Sequence, residues 1–366
     1  MTAPPPATSD PARTPLAVSL GSAPASVSRM PDARHEDRIY GALLGVAVGD
    51  AMGMPGEGWP HGRIAAELGR VESFRDAPDT NEITRGLKAY EVTDDTALTF
   101  IVAAAIVESG GAVDSAVIVD RIETWARTDA GHRNYVGPST KRAFAEIARG
   151  VPLAEAGRYG DTNGGAMRIT PVGAVQPCSD LAALLEDVRR ACLPTHNTDV
   201  AISGAAAIAA AVSYAIDAER PRIDEATEVA VMAAQKAVSL GYPTIAPSVA
   251  RKIELASSLA AAGGPAALDD IRYLIGIGLP AHEAVPAAFG IANLARGDPM
   301  ESARLAANLG GDTDTIGAMA CAMCGALVGA SGFPAGLAGT LERVNGIAFA
   351  PTAAALADLR ARRRAR

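Results

Sequence analysis

The chain has 366 residues, enough for one large domain or two ordinary ones, and 49% of them are hydrophobic while only 4% are aromatic. Abundant Ala and Gly with so few aromatics favours closely packed helices and disfavours a β-sandwich. A formal charge of −8 disfavours a nucleic-acid footprint and is compatible with cation binding.

Residues 1–34 are rich in Pro, Ala and Ser and read as a disordered leader rather than a signal peptide, with Met30 as an alternative start. One all-α domain is expected over 35–350, followed by a helix end and a basic tail over 351–366. "EDRIYGALLGVAVGDAMGMP" has helical spacing, and Gly41, Gly45 and Gly49 let another backbone approach closely. The stretch from Trp59 to Tyr90 reads as a long loop with short helical pieces. Helices are expected in "ALTFIVAAAIVES", "DSAVIVDRIETWAR", "KRAFAEIARG" and "DLAALLEDVRRAC". Between the last two lies the glycine-rich joint "DTNGGAMRITPVGA". "HNTDVAISGAAAIAAAVSYAIDA" reads as a fully buried helix. More helices are expected at 224–240, 246–262, 266–276 and 281–296, and a last major one from about Asp314 towards Gly329.

No period-2 strands or strand–helix alternation are seen, so a βαβ sheet is disfavoured. No unbroken apolar stretch of about 18 residues predicts a membrane span, and the expected location is cytoplasmic. Cys321 and Cys324 form a C-x-x-C on one helix face without a nearby Cys or His pair, so core packing outweighs zinc or redox use. The terminal "RARRRAR" reads as a frayed basic end.

Two clusters carry the chemistry. "EVTDDTALTF" (91–100) and "NLGGDTDTIGA" (308–318) each place Thr and Asp directly before a buried helix. Helix capping is the simplest explanation of each, but a cap uses one acceptor and each cluster supplies more. Carboxylates converging without a counter-charge repel one another, which a divalent cation relieves. Oxygen ligands without His or Cys point to two Mg²⁺, or Mn²⁺, rather than zinc. The assigned ligands are Thr93, Asp94, Asp95, Asp312, Asp314 and Thr315.

These two motifs, in this order, resemble the ADP-ribosylglycohydrolase family, which includes the dinitrogenase reductase-activating glycohydrolases. "GALLGVAVGDAMGMPGE", "NGGAMRITPVG", "PTHNTDVAISGAAAIAAA" and "LPAHEAVPAAFGIANL" extend the likeness over about residues 37–330. The resemblance implies a single-domain orthogonal helix bundle with two Mg²⁺ at one cleft. It also implies hydrolysis of the C1″ bond between ADP-ribose and an arginine or serine side chain, or of a small ADP-ribosyl compound. Glu57 matches the glutamate over the site, and Glu57, Asp95 and Asp314 are the candidate catalytic carboxylates. Gly137, Ser139, Asn163, Gly164, Gly165, Met167, Arg168 and His196 are the candidate substrate contacts. Tyr135 and Tyr159 are candidates to stack on adenine, and Trp59 to shape the entrance. The departures are Thr162, where the family usually has Gly, and Asn197-Thr198, where Pro often follows Thr-His. They bear on the substrate more than on the chemistry. A hydrolase of free nucleosides or small N-ribosides is the alternative, and a non-catalytic member is disfavoured by the intact ligands.

Overall fold

The computed structural model describes residues 32–128 and 136–365; Tyr135 lies outside them. In chain order the helices are α1 (Ala33–Gly53), α2 (His61–Glu67), α3 (Asp94–Glu108), α4 (Ser115–Thr128), α5 (Pro138–Ala148) and α6 (Leu153–Ala156). Next come α7 (Gly164–Met167), α8 (Thr170–Val175), α9 (Leu181–Cys192), α10 (Asp199–Asp217), α11 (Ile223–Ala237) and α12 (Val249–Ala262). The last are α13 (Gly264–Asp270), α14 (Ala281–Leu294), α15 (Pro299–Ala307), α16 (Thr313–Val328), α17 (Leu337–Asn345) and α18 (Phe349–Arg364). A single π-helical turn, Ile271–Ile275, continues α13. Among the described residues the only β-pairing is two isolated bridges, Thr162 with Pro280 and Thr198 with Tyr242.

α10 runs through the interior, packed on α7, α8, α9, α11, α14 and α16. Its length and composition would suit a membrane span, but its apolar window is 89% buried inside the bundle. Its apolar surface is already spent on core packing.

α1 and α16 lie backbone to backbone. A Cβ at Gly41 would sit 2.3 Å from the Gly325 carbonyl oxygen, at Gly45 2.1 Å from that of Cys321, and at Gly49 2.0 Å from that of Gly317. The Gly41/45/49 spacing therefore sets an interhelical distance that no side chain permits. Gly→Ala inside a helix normally gains roughly 1 kcal/mol. At Gly45 the clash with a carbonyl outweighs that gain, since overpacking costs about 1–3 kcal/mol and occasionally more. Gly45→Ala should therefore lower the stability read from urea unfolding, by up to about 2 kcal/mol net. Gly62→Ala in α2, where nothing lies within 4 Å of the added Cβ, should leave it unchanged or raised.

Two expectations change at the C-terminus. α16 is not the last major helix, because α17 and α18 follow, and the helical body extends to Arg364. The basic end is not frayed. Phe349, Thr352, Ala353, Leu356, Ala357, Leu359 and Arg360 of α18 are all buried. Arg360 is fully enclosed and pairs with Asp217 at 2.7 Å. It also donates to the carbonyls of Gly173, Ala174 and Ser213. Arg363 donates to Asp187 and Gln176, and Arg364 to Asp217 at 2.7 Å. At the other end the body begins at Ala33, with Asp32 capping α1 through the Arg34 N–H at 3.0 Å.

Cys321 and Cys324 are free and buried, facing α15. Cys321 Sγ donates to the Pro299 carbonyl at 3.2 Å, and Cys324 Sγ lies 3.3 Å from Ser302 Oγ. Burial pushes the Cys324 thiol up to about 12, an inert core thiol.

Candidate active site

The capping explanation can be tested directly. Asp32, Asp180, Thr198, Ser248 and Asp298 each cap a helix with the side chain. Thr93 and Asp312, at the N-cap positions of α3 and α16, do not. The cap of α3 comes instead from Asp50 of α1. Its carboxylate accepts from the Thr93 N–H at 2.9 Å, the Thr96 N–H at 3.1 Å and Thr96 Oγ1 at 2.5 Å. Neither motif's N-cap side chain is therefore spent on a cap, and of the motif acids Asp314 takes one first-turn N–H, that of Thr315 at 2.8 Å.

They converge. One oxygen from each of Asp50, Asp95 and Asp314 lies within 4.8 Å of the others, and the same holds for Glu57, Asp312 and Asp314. Asp314 belongs to both groups. Thr93 Oγ1 bridges the motifs, 3.2 Å from Asp95 Oδ2 and 3.4 Å from Asp314 Oδ2, and Thr315 Oγ1 lies 3.3 Å from Asp95 Oδ2. Asn163 Nδ2 donates to Asp312 Oδ2.

Local sequence explains the delivery. Gly310 and Gly311 adopt φ of +87° and +72°, a left-handed pair that glycine enters without strain and that turns Asp312 inward. The Gly311 N–H donates to the Trp59 carbonyl, the Gly58 N–H to the Gly311 carbonyl, and the Asp312 N–H to the Ile277 carbonyl. These bonds tie the Glu57 loop to the start of α16. From the other side, buried Asn81 donates to the carbonyls of Pro55 and Glu57, at 3.3 and 3.0 Å.

The electrostatic balance without a cation is unfavourable. Burial, and then the neighbouring Asp314, push Asp50 up to about 7 and Asp312 up to about 8. The same two causes hold the carboxyls of Glu57, Asp94 and Asp95 well above the usual range. Glu57 Oε2 and Asp95 Oδ1 are buried with no hydrogen-bond partner, which costs free energy unless something binds them. An all-oxygen donor set with orphaned carboxylate oxygens fits a hard divalent cation.

The cluster floors a cleft of about 310 Å³. Glu57, Asp94, Asp95, Asp312, Asp314 and Thr315 line it, with Gly137, Thr162, Asn163, Gly164, Met167 and His196 on the walls and Lys141, Ile83 and Leu279 beside them. Several expected contacts fall elsewhere. Ser139 is buried behind Thr162, which donates to it at 2.9 Å. Gly165 is backed by Cys192 Sγ and the His196 side chain, so its small size makes room for them rather than for a phosphate. Gly164 lines the cleft, but a Cβ there would sit 2.8 Å from the His196 ring, again a packing demand. Arg168 is enclosed at 1% exposure and donates to Thr195 Oγ1 at 2.7 Å. Tyr159 is exposed with Arg158 over its ring, and Trp59 is buried with Arg63 over its ring, both outside the lining.

Asp50 was not among the expected site residues. Its signal is a single acid in the apolar second part of α1, residues 41–53, a position where burial demands partners. Asn81 was also missed; nothing about an Asn in a polar loop marks it.

The ADP-ribosylglycohydrolase family model matches residues 31–366. The chain belongs to the ADP-ribosylglycohydrolase family. It is therefore a glycosyl hydrolase, in a family that hydrolyses ADP-ribosyl linkages. Similar family sequences include the uncharacterized protein YegU of Escherichia coli, 41% identical over 90% of this chain and 99% of that one. The ADP-ribosylarginine hydrolase Tri1 of Pseudomonas putida is 28% identical over 81% of this chain and 72% of that one. A solved ADP-ribosylglycohydrolase-related protein complex superposes with a TM-score of 0.62 at 27% identity, covering 91% of this chain and 99% of that one.

Proposed function

We propose that the chain hydrolyses the C1″ N- or O-glycosidic bond between ADP-ribose and an arginine or serine side chain, or within a small ADP-ribosyl compound, using two Mg²⁺ ions. The observation that carries this reading is the pair of carboxylate groups sharing Asp314 at the floor of one cleft. Thr93, Asp94, Asp95, Asp312, Asp314 and Thr315 hold the ions, and Asp50 joins them by position. When bound, divalent cations neutralise these carboxylates and act as Lewis acids toward sugar oxygens.

The chain's own groups do the rest. Asn163 orients Asp312 by donating to it. Glu57, on the cleft wall with Oε2 unpaired, holds and delivers a proton at that oxygen as the leaving nitrogen or oxygen departs. Lys141 on the cleft rim and the free N–H groups of α5 behind Gly137 give positive potential for a pyrophosphate. That feature favours an ADP-ribosyl substrate over a free nucleoside.

The test is mass spectrometry of arginine-linked and serine-linked ADP-ribosyl peptides incubated with Mg²⁺ or with a chelator. Free ADP-ribose should appear from one or both, only with the metal. No release from either peptide, alongside turnover of free nucleosides, would replace this reading with riboside hydrolysis.

A further inference from the structure

Arg168, Thr195, His196, Thr162 and Ser139 form an unbroken line of hydrogen bonds from the interior to the cleft wall. Its direction follows from the inventory of protons. A guanidinium has donors and no acceptor, so Thr195 Oγ1 accepts from Arg168 Nη2 at 2.7 Å. Thr195 Oγ1 meets no other acceptor among the described residues, so its single proton is assigned to His196 Nδ1, at 2.8 Å. Burial, and then the charge of Arg168, hold the His196 pKa well below its usual value, so the ring is neutral and its hydrogen sits on Nε2. That atom lies 3.1 Å from Thr162 Oγ1, which in turn donates to Ser139 Oγ at 2.9 Å. The ring is packed against Gly164, where a Cβ would sit 2.8 Å from Cε1 and from Nε2. With both nitrogens engaged and this face covered, the orientation is fixed.

A hydroxyl has one proton and two lone pairs. Thr162 spends its proton on Ser139 and one lone pair on His196. One lone pair remains, on a residue that lines the cleft and precedes the Asn163 that holds Asp312. We propose that this line of bonds, anchored by Arg168, makes Thr162 a hydrogen-bond acceptor that takes a hydroxyl of the ligand's terminal sugar beside the carboxylate floor and disfavours a phosphate oxygen there. The proposal rests on the ADP-ribosyl reading of the cleft. Thr162 and His196 contact the ligand or its wall, while Thr195 and Arg168 are positioning residues that act through the imidazole.

Two measurements on the full chain test it. In protein with ¹⁵N-labelled histidine, with His196 identified by loss of its signals in His196→Gln, the ring should be the neutral Nε2–H tautomer. Thr195→Val should shift that signature. A hydrogen on Nδ1 would reverse the line and overturn the proposal. By calorimetry with Mg²⁺, Thr162→Val should weaken ADP-ribose by about tenfold, the scale of one hydrogen bond. It should leave ADP within about twofold, and Thr162→Ser should restore wild-type affinity for both. Equal losses for ADP and ADP-ribose, or none for either, would overturn the sugar-hydroxyl assignment. If the wild-type protein bound no ADP-ribose, the functional reading and the ligand half of this inference would fall together. The tautomer would still decide the direction of the line.

Discussion

Asp314→Asn should stabilise the chelated protein while removing its activity. Asp314 is the acid common to both carboxylate groups, and it is the first electrostatic cause, after burial, of the raised pKa of Asp50, Glu57, Asp94, Asp95 and Asp312. An Asn keeps the acceptor that the Thr315 N–H uses at 2.8 Å and removes the charge. In chelator, relief of repulsion should be worth about 1 kcal/mol or more, as for other stabilising changes at functional sites. On the proposed reading, in which Asp314 serves both ions, its loss should exceed the 10–100-fold cost typical of outer-sphere partners, giving on the order of 10³-fold lower turnover.

The same acids set a pH dependence. Asp50 and Asp312 are raised from 3.8 to about 7 and about 8, so the folded, metal-free state binds more protons than the unfolded one. Their contribution is therefore full below about pH 4 and is lost as pH rises towards 8. Thermal melts in chelator should fall between pH 5 and 8, Mg²⁺ should remove that fall, and Asp314→Asn should flatten it. A chelated Asp314→Asn protein that melts below wild type at pH 8 would count against carboxylate repulsion as the dominant cost.

The second large effect is expected far from the cleft, at Arg360. Its guanidinium is enclosed and meets Asp217, Ser213 Oγ and the carbonyls of Gly173, Ala174 and Ser213. Removing it leaves the buried carbonyls without their donor and Asp217 without its buried partner, a class of change that costs about 3–5 kcal/mol. Arg360→Ala should therefore lower the denaturant midpoint substantially, and Arg360→Lys should recover only a fraction, because a point charge cannot serve that fork of acceptors. Asp217 also pairs with Arg364 and lies 3.4 Å from His35 of α1, so Arg360→Ala and Asp217→Asn should be non-additive. Full additivity would mean that the carbonyls, and not the ion pair, carry the cost.

The carboxylate floor was readable because its acids are clustered in sequence and exceed what capping consumes. Asp50 escaped because it stands alone, and only its burial reveals that it caps the neighbouring α3 in place of Thr93. Glycines were read correctly at Gly45 and Gly49, where the period matches a helix face, but Gly165 lies behind the cleft lining that Gly164 joins. There the small size makes room for a histidine ring and a thiol, a distinction that depends on what another segment brings alongside. The terminal arginines were misread for a related reason. Their apolar partners Leu356 and Leu359 do mark a helix face, but an arginine on that face looks solvent-bound until Asp217, from the end of α10, is seen to meet it.

The glycine seam has a consequence for how the protein is made. α1 supplies Asp50 and leads into Glu57, yet Thr313, which donates to the Gly53 carbonyl across the seam, lies 260 residues further along the chain. On the ribosome, α1 is synthesised early and stays without its glycine-faced partner until α16 emerges. Contacts of such long range make folding slow, and the unfilled groove is a surface that chaperones can bind in the interval. Because Asp312 and Asp314 enter with α16, a chain truncated before Asp312 has neither the seam nor the meeting of the two carboxylate clusters.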